Sequence, residues 1–170
     1  VGFREKVPVG PGPREFSIAV YPVPTPGTRF WVFFSSCPPL YARKSIYCMD
    51  GDEHLRFGLL SVAAMVCCQR MGFAPDIVHA NDWHTALLPL FLRTHFGWDQ
   101  LFVRTRTVLT LHNLAYQGMF PSSILRDLGL EEHAGLLERQ DLAAGRVGFM
   151  KTGILYADAV TAVSETYARE

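Results

Sequence analysis

The chain has 170 residues, a mass of 19.1 kDa and a formal net charge of zero, with 16 Lys and Arg against 16 Asp and Glu. With 49% hydrophobic and 19% charged residues, the composition is that of one globular domain with a core, not of a disordered chain. Balanced charge without an Arg/Lys stripe argues against a general nucleic-acid partner, and no apolar run reaches the ~18 residues of a membrane span. Near-zero charge with high apolarity also favours association, so one surface is expected to meet a partner domain.

Residues 1–15 are rich in Pro and Gly and read as a loop or chain end. They hold no signal-peptide apolar stretch and no initiator Met, and "SETYARE" at the other end stops in the first turns of a helix. Both ends are therefore expected to be cut. "FSIAVYPV" and "TRFWVFF" around "PTPG" read as a hairpin, with Pro22 and Pro24 arguing for an edge position. Residues 35–51 form a long aromatic loop, and loops of that length are often functional.

A helix follows, with Asp50 and Glu53 at capping-box spacing. Leu55, Leu59, Val62 and Val66 lie on one face, and Gly72 is the stop. Cys37, Cys48, Cys67 and Cys68 form no C-x-x-C pair, and adjacent Cys67 and Cys68 point about 100° apart on a helix. Four free thiols in a reducing, cytoplasmic setting are expected.

"DIVHA" reads as a short buried strand, and a helix begins near "DWHTALLPLFLRTHF" with its first turn distorted by Pro89. "TVLTL" is the next strand, residues 121–144 hold one or two short helices, and residues 146–157 form another helix weakened by Gly148 and Gly153. "DAVTAV" is a last strand before a helix opening at Ser164. The alternation predicts an α/β fold, a Rossmann-like parallel sheet with helices on both faces. Ligands bind such sheets outside the carboxyl ends of the strands. Those ends carry His79, Asn81 and Asp82, then His112 and Asn113, then Ser164 and Glu165.

"HANDWH" at 79–84 admits three readings. Two His and an Asp could ligate zinc, although the spacing matches no standard motif. Asp82 could merely cap a helix, with His84 a satisfied histidine. The third reading is a polar-ligand site in which Trp83 offers a platform to a sugar ring. His112 could simply bond a neighbouring loop, but Asn113, Tyr116, Gln117 and Gly118 make the whole turn polar and ring-bearing. Ser164 lacks a G-x-S-x-G elbow, which argues against a hydrolytic triad. There is no G-x-G-x-x-G and no P-loop.

"DGDEHLRFG", "PDIVHANDWHTALLPLFLR", "TVLTLHNLAYQGMFP" and "FMKTGILYADAVTAVSETYARE" together resemble the bacterial glycogen synthase and starch synthase family. The similarity is dense from about residue 50 onward. It implies a two-domain GT-B glycosyltransferase, with residues 1–170 a part of the N-terminal domain. The family's "Lys-x-Gly-Gly" loop and C-terminal nucleotide-binding domain are not in this chain, so the isolated fragment is expected to be inactive. The implied reaction is transfer of glucose from ADP-glucose to the non-reducing end of an α-1,4-glucan, with retention. The implied partners are those two substrates and the missing domain, with no cofactor, metal, nucleic acid or membrane. His112 and Asp82 match catalytic positions. Asn113, Trp83, His79, Tyr116, Gln117 and Glu165 are carried as substrate-binding candidates. A GT-B enzyme with another nucleotide sugar or acceptor, and a non-catalytic carbohydrate-binding fragment, are the alternatives.

Overall fold

The computed structural model describes residues 2–8, 15–47 and 50–169. Cys48 and residues 9–14 of the Pro/Gly-rich stretch lie outside the described residues. The first sheet has three antiparallel strands in the order β1 (Phe3–Pro8), β2 (Glu15–Pro24) and β3 (Trp31–Ser36). The hairpin expectation holds, but part of the region read as a loop is strand β1, and β2 is the central strand. The prolines remain compatible because β1 begins opposite Val20, so its pairing stops short of Pro22 and Pro24, which pair only with β3. Their missing N–H groups fall where a second neighbour is absent. Val7, Ile18 and Val20 are fully buried, whereas Phe30, Trp31 and Phe34 farther along the hairpin are exposed.

After the short helix α1 (Pro38–Tyr41) comes α2 (Glu53–Met71), which packs on β1. Its N-cap is Asp52 rather than Asp50, with no side-chain cap bond. The Asp52 carboxylate instead meets Arg43 at 2.5 Å. Leu55, Leu59 and Val62 are buried as their spacing predicts, but so are His54, Arg56, Phe57 and Ala63. The first half of α2 is enclosed on more than one side, so burial extends beyond the face marked by Leu55, Leu59 and Val62. Gly72 ends the helix in the left-handed region at φ 59°.

The second sheet is parallel, in the order β4 (Ile77–Asn81), β5 (Arg106–Leu111) and β8 (Ala159–Ala162). The helix expected from Asp82 onward breaks into α3 (Asp82–Thr85) and α4 (Leu88–Arg93). Pro89 falls in the first turn of α4, where an amide is not needed. Residues 146–157 also divide: β7 (Arg146–Gly148) pairs antiparallel with β6 (Met119–Pro121), and α6 (Phe149–Tyr156) follows. Between β6 and β7 lie two 3-10 turns and α5 (Arg139–Ala143), and α7 (Glu165–Arg169) comes after β8.

Helix α6 packs on α3 and α4. A Cβ at Gly153 would come within 2.8 Å of both Ala86 and Leu109, so this glycine lets α6 sit directly on the sheet. Ala80 and Leu109 are buried beneath these helices. The opposite face is open at several positions among the described residues. Ile77 is 62% exposed there, and His79 and Thr161 are exposed beside it. The fold class stands: a helix-flanked α/β parallel sheet of Rossmann-like type.

Candidate active site at the strand ends

The junction of β4 and α3 is built on an unusual residue. Asp82 has φ 53°, the one non-glycine residue with positive φ among those described. That conformation is costly for a residue with a Cβ and persists where the surroundings enforce it. Here it aims Oδ1 across to the end of β5, where the His112 and Asn113 amides donate to it at 2.7 and 3.3 Å. The imidazole of His112 bonds through Nε2 to Asn81 Oδ1 at 3.0 Å. An amide oxygen only accepts, so Nε2 carries the proton and Nδ1 is the acceptor of the neutral ring.

The loop beyond His112 is fastened along its length. Asn113 Oδ1 accepts from the Ala115 amide at 2.9 Å, and Gln117 Nε2 donates to the Leu114 carbonyl at 3.3 Å. The carbonyls of Gly118 and Gln117 accept from Phe149 and Met150 at 3.0 and 3.1 Å, satisfying first-turn amides of α6. Gly118 adopts φ 63°, and a Cβ there would lie 2.4 Å from the Trp83 ring. The close approach its presence predicts is thus made to an indole.

A cleft of about 570 Å³ opens beside this loop, lined by Tyr47, Glu53, Trp83, Tyr116, Gln117 and Phe120 among others. Tyr47 stacks on Tyr116, with centroids 6.2 Å apart and planes 11° apart, and its hydroxyl bonds His84 Nε2 at 2.9 Å. Trp83 is only 4% exposed, sandwiched with His84 and edge-on to Phe57. Its buried Nε1 has no hydrogen-bond partner among the described residues. Burial holds the His84 pKa below its ordinary value, with Asp82 and Glu53 pulling the other way. Among the described residues, none that lines the cleft is Lys or Arg. Stacked rings, an amide and a carboxylate suit a neutral, hydroxyl-rich ligand better than a phosphate.

The remaining sequence candidates sit elsewhere. His79 bonds Thr110 Oγ1 at 2.6 Å, and Thr110 Oγ1 bonds Thr161 Oγ1 at 2.7 Å, a row across the open sheet face. Glu165 is exposed in α7 and pairs with Arg169, while Ser164 Oγ accepts from the Tyr167 amide. His79, Asp82 and His84 each turn to a different partner, and among the described residues no His, Cys, Asp and Glu group gathers around a metal-sized space. Sequence reasoning missed Tyr47 and Glu53. The length of the loop at 35–51 was the one signal for Tyr47, and Glu53 reads as a cap residue. A smaller cleft of about 370 Å³ lies at the other end of the strands, beside Arg106 and Asp158. Asp158 spends its carboxylate on the amide and hydroxyl of Thr107 at 2.8 and 2.9 Å, a structural latch between β5 and β8.

Residues 3–170 match the starch synthase catalytic domain family. The chain belongs to that family. It is 48% identical over 130 residues to a glycogen synthase from Desulforudis audaxviator, covering 76% of this chain and 26% of the relative. A glycogen synthase from Aeromonas salmonicida is 37% identical over 168 residues, 96% of this chain and 34% of the relative. The chain thus spans about a third or less of the curated relatives it matches. The catalytic domain of starch synthase IV from Arabidopsis thaliana, solved with ADP and acarbose bound, superposes at a TM-score of 0.82 with 28% identity, over 99% of this chain and 35% of that one. This likeness bears out the family and the Rossmann-like GT-B class inferred from the motifs. No helix among the described residues is long and apolar enough to cross a membrane.

Proposed function

We propose that this chain is part of the N-terminal domain of an ADP-glucose-dependent glycogen synthase, acting in the cytoplasm on an α-1,4-glucan. The observation that carries the reading is the coupled strand end. Asp82 fixes the start of the His112–Gly118 loop beside an aromatic cleft with no cationic lining among the described residues. Such a cleft fits the glucan acceptor, with Tyr116, Gln117 and Trp83 against the sugar. The ADP and acarbose bound by the plant relative support a nucleotide donor and a glucan-like acceptor. In the reaction the C1–O bond to ADP breaks, C1 bonds the acceptor's 4-hydroxyl oxygen, and the hydroxyl proton passes to the departing phosphate. Configuration is retained. Asp82, through the backbone amides, and Asn81, through the ring, hold His112 where positive charge develops on the sugar, and fixed dipoles are most effective there. Asn113 holds the turn that follows.

The diphosphate needs concentrated positive charge, which on this reading comes from a second domain. The exposed Phe30, Trp31 and Phe34 also favour a covered neighbour. The buried or half-buried thiols Cys37, Cys67 and Cys68 are free, in keeping with a reducing compartment. Full-length protein is assayed with labelled ADP-glucose or UDP-glucose and glycogen, beside the 170-residue chain alone. Incorporation from ADP-glucose by the full-length protein and none by the chain is the expected result. Preference for UDP-glucose, or no transfer, overturns the assignment.

A further inference from the structure

The cleft wall formed by Tyr47 has no regular structure: between α1 and Tyr47 the chain runs through bends. What fastens it is Arg56, one turn into α2 and only 4% exposed. Its Nη1 donates to the Ile46 carbonyl at 2.8 Å. Its Nε lies 3.4 Å from Asp52 Oδ1 and its Nη2 lies 3.2 Å from Glu53 Oε1. The Tyr41 hydroxyl donates to the carbonyl of Arg56 itself at 3.1 Å. From the loop side, Arg43 reaches Asp52 and Asp50 at 2.5 and 3.2 Å.

Burying a guanidinium is costly unless its charge and donors are matched, and an apolar residue would fill the same space more cheaply. The distribution of its contacts points to what the charge achieves. Ile46 is the residue before Tyr47, and Glu53 is itself a cleft-lining residue. One guanidinium therefore hydrogen-bonds the loop that carries the Tyr47 ring and pairs by charge, without an aligned hydrogen bond, with the carboxylate at the start of α2. We infer that Arg56 is a positioning residue that sets Tyr47 and Glu53 against the sugar acceptor. The inference rests on the reading of the cleft as the acceptor site.

The test uses the full-length enzyme with Arg56→Lys, which keeps the charge but cannot span the same acceptors, and Arg56→Met, which keeps the bulk. Steady-state kinetics with a maltooligosaccharide acceptor are measured beside thermal unfolding. The acceptor KM should rise about tenfold or more, a cost typical of a misplaced binding group. Turnover and donor KM should stay within about twofold. Arg56→Lys should add less to Tyr47→Ala than it does to the wild type, because part of its effect passes through that ring and the rest through Glu53. An unchanged acceptor KM in folded Arg56→Lys, multiplicative effects in the double variant, or failure of both Arg56 variants to fold would each overturn the positioning role. A wild-type enzyme that transfers no glucose refutes the proposed function instead. The role of Arg56 is then read from the NMR titration of His84, the hydrogen-bond partner of Tyr47. A moved midpoint in Arg56→Lys supports the role, and an unmoved one overturns it.

Discussion

The ends of β5 and β8 lie side by side in one parallel sheet and carry similar polar residues, yet they spend them differently. At β5 the amides of His112 and Asn113 bond a carboxylate some thirty positions earlier in the chain, and the His112 ring reaches Asn81. At β8, Ser164 and Glu165 bond residues three and four positions later, inside their own helix. Long-range bonds at a strand end fix the position of a loop relative to its neighbours. Local ones only start a helix. The contrast supports the proposed site at the β4–β5 junction, while at β8 the same residue types serve helix initiation.

The strongest way to break this comparison is His112→Ala in the full-length enzyme. Turnover should fall about 100- to 1000-fold, or about 3–4 kcal/mol, as for loss of one preorganised electrostatic contact. Affinity for ADP-glucose, measured directly, should change far less. Turnover within about threefold of wild type, corrected for folded fraction, would remove His112 from the catalytic residues.

Gly118→Ala tests the fastening of the loop rather than its chemistry. The new methyl would meet Trp83 at 2.4 Å on a left-handed backbone. Overpacking and strain of this kind should cost about 1–3 kcal/mol in denaturant unfolding. A neutral result would mean the loop yields easily.

The pH dependence is a smaller effect. Burial lowers the His84 pKa from 6.5, so the unfolded chain binds a proton more readily than the folded one. The associated stability is present above pH 6.5 and is lost as pH falls through that value toward the folded pKa. His95, lowered by burial as well, contributes with the same sign. His84→Gln should therefore flatten the acid side of the stability profile, leaving the His95 share. An unchanged slope would contradict the burial of His84 beneath Tyr47.

Glu165→Gln should do least. Its pair with Arg169 is exposed, so turnover should stay within about twofold and the melting temperature should hardly move. A large kinetic loss would place β8 beside β5 as a chemical strand end and erase the contrast.

The parallel sheet was legible because IVHA, TVLTL and AVTA are short apolar runs separated by helix-length segments. The strand-end location of Asp82, His112 and Asn113 followed from that topology. Strand β1 was hidden by its Pro/Gly-rich surroundings, and three-residue β7 by its continuity with α6, because its pairing with β6 is a tertiary fact. Burial was hidden too. The sequence shows that Trp83 is aromatic, but not that Phe57, His84 and Gly118 enclose it. His79 was counted with the strand end, yet strand alternation puts it on the sheet face with Thr110, as its bond shows.

The fastening of the His112–Gly118 loop has a consequence for how amide protons leave it. The His112 and Asn113 amides end on Asp82, while those of Phe149 and Met150 end on the loop's own carbonyls. These four protons belong to separate elements, but releasing the loop frees them all. In deuterated solvent they should exchange as one cooperative group, at a common opening free energy. The first turn of α6 then becomes a reporter, readable without any substrate, of how firmly the His112 loop is held.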